Sequence, residues 1–214
     1  MMPRHASPIL LRRCARDNSG ATLVEFAVVL ALFLLIFFGL IDFGRLAFNY
    51  VTAEKAMQVA SRVAAVRPAA CPGVALVHQR AAVPLGAVPP QYGTACNANA
   101  GICVNPGTVT CAGSTGNATA QEIWTLVSGG LPTDATIGNL LFSYSYDSNL
   151  GFLGGPYVPV VTVALQDLDF QFVSPLGALA VMASGVSSDL GTAIPFPSMS
   201  VSLPAEDLAL GDNG

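Results

Sequence analysis

Residues 26–41 read FAVVLALFLLIFFGLI, sixteen consecutive positions without a charge and almost wholly apolar. A core helix of a soluble domain needs one apolar stripe, whereas a helix surrounded by hydrocarbon is apolar on every face. With Ala21–Val24 and Glu25 added, the segment has 21 residues. As a helix it is about 31 Å long, close to the hydrocarbon thickness of a bilayer. The sequence therefore predicts a transmembrane helix over 21–41. A secretory signal peptide has a shorter apolar core followed by small residues at a cleavage site. Here the run passes instead into Asp42-Phe43-Gly44-Arg45-Leu46.

Flanking charge sets the orientation. Arg4, Arg12, Arg13 and Arg16 precede the segment against a lone Asp17, and the cationic flank of a spanning helix stays in the cytoplasm. The expectation is a single-pass inner-membrane protein, N-terminus cytoplasmic, with its C-terminal part periplasmic or extracellular. Cysteine usage agrees: Cys14 lies in the leader, while Cys71, Cys96, Cys103 and Cys111 fall on the oxidising side. All nine Lys and Arg lie at or before Arg80, whereas residues 81–214 hold nine acidic side chains and no basic one. A tail without a cation cannot neutralise phosphates, which excludes nucleic acid as its partner. Only 10% of the chain is charged and 52% is hydrophobic, which excludes a disordered chain.

The polar-to-apolar boundary reads Arg16-Asp17-Asn18-Ser19-Gly20-Ala21-Thr22-Leu23-Val24-Glu25-Phe26. A carboxylate inside a spanning helix is costly, less so near an end, where Glu25 can also turn back to the headgroups. The pattern of basic leader, glycine, apolar helix and glutamate five residues on resembles the processing site of type IV pilin-like proteins. That resemblance implies cleavage by a prepilin peptidase between Gly20 and Ala21, with Glu25 as the fifth residue of the mature chain. A freed α-amine on one subunit can pair with the Glu25 carboxylate of a neighbour, offsetting desolvation and setting helix register. Gly39-Leu-Ile-Asp42-Phe-Gly44-Arg45, continuing into a long helix, is similar to the TadE-like family of tight-adherence pilus proteins. Over residues 16–67 this resemblance is good, and beyond them it is loose. It implies a minor pseudopilin-like component of tight-adherence (Flp-type) pilus assembly, with other pilin or pilus-assembly subunits as partners.

Past the membrane the helical pattern persists. Phe43, Leu46, Tyr50, Ala53, Met57, Ala60 and Ala64 recur at steps of three and four, predicting an amphipathic extension over 42–67 that ends before Pro68. The seam serves equally for packing on the chain's own domain or on neighbouring helices. Ala27 and Ala31 supply one small-xxx-small step for association within the membrane.

Residues 68–214 alternate turn signals with strand-like stretches: Ile137–Tyr146, Val158–Leu165, Leu168–Val173 and Met199–Leu203. Glu122–Val127 suits a short helix or a strand. The fold class expected is α+β: a long N-terminal helix followed by a β-rich, disulfide-stapled exported domain. The organisation expected is a cationic leader over 1–20, a transmembrane helix over 21–41, a helical extension over 42–67 and the exported domain over 68–214. Four exported cysteines allow three pairings; pairing of neighbours, Cys71 with Cys96 and Cys103 with Cys111, is the working expectation. The spacings contain no C-x-x-C, so a structural zinc site is disfavoured.

Catalytic signatures are lacking. His78 is the only exported histidine and reads as a surface or linker residue. No lysine follows Lys55, and neither a nucleophile elbow nor a phosphate-binding glycine loop is present. Asp167 and Asp169 share a strand face, most simply a solvated one. Asp147-Ser-Asn149-Leu-Gly151 lacks the closing glutamate of a calcium loop and reads as a turn. The chain is thus expected to be no enzyme, with no cofactor and no metal. The alternative to pilus assembly is an uncleaved, membrane-tethered extracytoplasmic binding module.

Overall fold

The computed structural model describes residues 19–206 and 208; Cys14 and the rest of the leader as far as residue 18 lie outside them. The chain divides into two compact units. One comprises the N-terminal part of the first helix, through Arg45, with residues 171–193; the other comprises residues 46–170 and 194 onward.

Helix α1, Ser19–Val66, is uninterrupted for 48 residues. Pro68 ends it, since the residue before a proline is driven out of helical conformation. In the second unit the C-terminal part of α1 turns a face of small residues inward: Ala53, Ala56, Met57, Ala60, Ser61, Ala64 and Ala65 are buried. Small side chains let neighbours approach closely. A Cβ on Gly130, in the turn Ser128–Gly130, would stand 3.4 Å from the Ala56 Cβ and from the Thr52 carbonyl oxygen.

Four antiparallel strands form the main sheet in the order β1 (Thr108–Ala112), β2 (Leu140–Ser145), β3 (Val160–Leu165) and β6 (Met199–Pro204). Side chains alternate along them as a half-buried sheet requires. Leu140, Phe142 and Tyr144 of β2 and Val161, Val163 and Leu165 of β3 are closed off from solvent. Helix α2 (Ala118–Val127) buries Thr119, Ala120, Ile123 and Val127. The buried Tyr144 hydroxyl accepts from the Ala70 amide at 2.8 Å, tying the chain just past α1 to the sheet.

Of the two readings open for Glu122–Val127 the helix is the one observed, and several other elements depart from expectation. The segment Glu122–Val127 is helical and belongs to α2, whose start is fixed by Asn117: its side chain accepts from the Ala120 amide at 2.9 Å. Strand β1 lies outside the expected strands. The expected strand Ile137–Tyr146 begins only at Leu140, because Thr136 and Asn139 cap a short 3₁₀ turn over Ile137–Asn139. Of the expected strand Leu168–Val173, only β4 (Asp169–Phe170) forms, paired with β5 (Ile194–Pro195). The Val173 and Ser174 amides are instead taken by the Asp42 carboxylate, so the ladder cannot extend to Val173. Helix α3 (Leu176–Ser184) follows, an element absent from the sequence reading.

The disulfides join Cys71 to Cys111 and Cys96 to Cys103, one bridge nested inside the other, and not Cys71 to Cys96 and Cys103 to Cys111 as expected. Strand β1 carries Cys111 opposite Phe142, and the Phe142 carbonyl also faces the Cys71 sulfur. Sheet register thus brings together two cysteines 40 residues apart. The fold class is α+β as expected, with a long apolar N-terminal helix and a sheet-rich domain stapled by two disulfides.

Candidate functional site

Three groups of residues carry chemistry, each held by a different local device. The first is the helix start. Gly20, Ala21 and Glu25 all lie within α1 and are exposed. No heavy atom lies within 4 Å of where a Gly20 Cβ would stand, so packing does not demand glycine here. From Leu23 through Ile41 the large apolar side chains are mostly exposed: Leu23, Val24, Phe26, Val29, Phe33, Ile36 and Leu40 each show 60% or more of their surface. The apolar part of α1 is long enough to cross a membrane.

The second group centres on Asp42, which is fully buried. A buried carboxylate is costly unless its oxygens are satisfied. Here Oδ1 accepts from the Val173 amide at 3.3 Å and pairs with an Arg45 guanidinium nitrogen at 3.2 Å, while Oδ2 accepts from the Ser174 amide at 3.1 Å. Asp42 and Arg45 sit one turn apart on α1, the spacing that lets such a pair meet. One carboxylate therefore fastens residues 173–174 to α1, and the Phe43 and Phe172 rings meet edge-on beside it at 5.9 Å. Phe43 is itself exposed, and so is Tyr50; of the predicted seam, the positions from Ala53 onward are the buried ones. Within the membrane step, Ala27 is exposed and Ala31 is buried.

The third group surrounds His78, which is buried, contrary to its reading as a surface or linker residue. Its Nε2 accepts from the Val158 amide at 3.2 Å, and its ring lies against Tyr157 and Tyr146. Nδ1 is buried without a hydrogen-bond partner. Burial therefore pushes the imidazole below its ordinary pKa, toward the neutral form. Gly151 makes this placement possible: at φ 78°, a Cβ there would come within 2.2 Å of Nε2. The Asp147–Gly151 segment is a turn, as expected, with the Asp147 carboxylate accepting from the Asn149 amide at 2.8 Å. His78 and the sulfurs of Cys96 and Cys103 lie within 4.8 Å of one another. Those sulfurs are joined as a disulfide, so neither is a thiolate and the trio is no zinc ligand set. Asp167 and Asp169 are exposed.

The class defined by these features is a protein with one N-terminal helix, long and apolar enough to cross a membrane, that runs on into a disulfide-linked α+β domain. Residues 20–62 match the family model described as TadE-like protein, the family that the glycine–glutamate junction and the Asp42–Arg45 segment resemble. The match begins at Gly20, contains Ala21, Glu25, Asp42 and Arg45, and covers about one fifth of the chain. No curated protein and no solved structure matches the chain.

Proposed function

We propose that this chain is a membrane-anchored, minor pseudopilin-like component of tight-adherence (Flp-type) pilus assembly. It acts structurally, through packing of its N-terminal helix against other pilin or pilus-assembly subunits. The observation that carries the reading is the TadE-like match, which starts at Gly20 and runs along the apolar helix. Prepilin peptidase cuts after Gly20, leaving Ala21 as the N-terminus. The new α-amine is a cation placed to meet the Glu25 carboxylate of an adjacent subunit, an exchange that lessens the cost of holding either charge near hydrocarbon. Exposure of Glu25 and of the surrounding apolar side chains supports this role, because a helix that packs against neighbours must leave its own surface open. The leader is cytoplasmic and the disulfide-linked domain lies on the oxidising side.

N-terminal sequencing of the protein from its native membrane tests the reading. A start at Ala21, lost on Gly20→Phe substitution, is the expected result. Glu25→Ala should still be inserted and cut, yet fail to enter the assembled pilus. A start at Met1 or Met2 overturns the pseudopilin mechanism in favour of a tethered binding module.

A further inference from the structure

Residues 171–193 leave the sheet domain through the β4–β5 pair and return through it, a hairpin-like excursion with α3 on its outgoing limb. Among the described residues, they form one compact unit with α1 up to Arg45. The closed side of that part of α1 is a single stripe. Ala31 and Asp42 are buried and Leu34, Leu35, Phe38 and Gly39 are half-buried, positions that recur on one helical face. The fastening at Asp42 holds the base of the excursion to this stripe.

The excursion is unusual in what it exposes. It contains no basic residue and one acidic residue, Asp189. Val173, Val181, Met182, Val186 and Leu190 are all exposed. The return limb brings the polar residues back toward the base: a Cβ on Gly177 would touch the Leu190 and Ser188 carbonyl oxygens, and one on Gly191 would touch Leu176. The far end, residues 178–186, reads ALAVMASGV and carries no charge.

Several of its backbone amides are also provided for. Asp42 takes the Val173 and Ser174 amides, and the Leu176 and Leu179 amides donate to Ser174 and Pro175. The Ser184 hydroxyl donates to the Ala180 carbonyl. Gly185, in the left-handed region, closes α3 by donating to Val181. Amides satisfied within the segment meet part of what hydrocarbon demands of a non-spanning element.

We propose that residues 178–186 are a second membrane-embedded element, an apolar tip that enters the extracytoplasmic leaflet beside α1, with lipid acyl chains as the occupant of its exposed face. The inference rests on the membrane-anchored reading. If 21–41 spans the bilayer, the stripe from Ala31 to Asp42 occupies its outer half, and whatever shares a unit with that stripe meets lipid there. Membership of one unit with the apolar part of α1 and the absence of charge from the tip favour acyl chains over a soluble partner.

The test uses the full chain in phosphatidylcholine vesicles. Cys14→Ser removes the unpaired cysteine, and Met182→Cys carries an environment-sensitive fluorophore, with Val186→Cys as a second site should Met182→Cys misfold. Ile36→Cys in α1 and Leu85→Cys, on a fully exposed loop, are references. The expected result is quenching at Met182 by nitroxide-bearing lipid to the extent seen at Ile36, and several-fold weaker quenching by aqueous iodide than at Leu85. Iodide quenching at Met182 equal to Leu85, with Ile36 protected, overturns the proposal while the membrane span stands. Iodide access at both Met182 and Ile36 overturns the membrane reading itself. Cross-linking of Met182→Cys to a second copy without nitroxide quenching assigns the tip to a protein contact, and also overturns the proposal.

Discussion

Between Leu23 and Ile41 helix α1 exposes leucine, valine, isoleucine and phenylalanine on nearly every face, whereas between Ala53 and Ala65 it buries a seam of alanines around Met57. The backbone is the same, and the side chains differ in size and distribution. Large apolar side chains all round suit a fluid, non-directional surrounding such as hydrocarbon, which asks for area and not shape. Small side chains on one stripe suit a solid neighbour, because they let backbones approach closely and penalise any misfit. Helical periodicity alone places both; what distinguishes them is that one stretch lacks a polar face and the other has one, at Glu54, Lys55, Gln58 and Arg62.

Introducing a charge into each stretch breaks the comparison most directly. Met57→Asp puts a carboxylate at a site with no exposure and should cost on the order of 4 kcal/mol or more of domain stability. Thermal melts of the full chain in detergent, followed by circular dichroism, should show the sheet domain unfolding early or never forming. Ile36→Asp should leave that melt within about 0.5 kcal/mol of the parent. Its effect should appear in membrane integration, where an acidic residue near a helix centre costs up to about 3 kcal/mol. A domain melt equally lowered by both changes would mean that the two stretches share one folding unit.

Asp42 lies on α1 between the two stretches, and Asp42→Asn sharpens the distinction. An amide oxygen accepts, but its nitrogen does not, so one of the Val173 and Ser174 amides loses its acceptor and Arg45 loses its ion pair. A buried hydrogen bond left unmade costs about 1–3 kcal/mol. Hydrogen exchange at the Val173 and Ser174 amides should therefore quicken by about ten- to a hundredfold, while exchange in β2 and β3 stays unchanged. Unaltered exchange at both amides would show that Asp42 does not fasten the excursion.

How much of this was legible in the sequence follows from how local each signal is. The apolar run, the buried seam from Ala53 onward and strands β2, β3 and β6 were visible because periodicity is a local property. Asp42 and its ion-pair partner Arg45 are visible as parts of one motif, yet the amides that Asp42 accepts from lie 131 and 132 residues away and no spacing points to them. The disulfide pairing depended on sheet register, with Cys111 opposite Phe142, and register is not written near either cysteine. Helix α3 is not legible in the sequence because Leu176–Ser184 follows a proline and consists of small and apolar residues without a polar face to give it a period. The burial of His78 is not legible in the sequence because it depends on Gly151, whose missing side chain makes the room.

The smallest effect should be a pH dependence confined to the sheet domain. His78 is held neutral in the folded state, with its pKa lowered from 6.5 by burial, while in the unfolded chain it titrates at its ordinary value. Below about pH 6.5 the unfolded state therefore binds more protons than the folded state, so stability falls as the pH falls through that value and is fully retained above it. Protonation also removes the Nε2 lone pair that accepts from the Val158 amide, so the charged form loses a hydrogen bond as well as solvation. Thermal melts of the full chain between pH 7.5 and 5.5 (about one unit either side of the ordinary histidine value) should slope downward on the acid side. His78→Phe should flatten that slope while lowering stability at every pH. Exchange at Val173 and Ser174 should not follow the same titration, because no histidine lies in the described part of the unit fastened by Asp42. A parallel pH response at those two amides would tie the excursion to the sheet domain and dissolve the distinction between the two parts of α1.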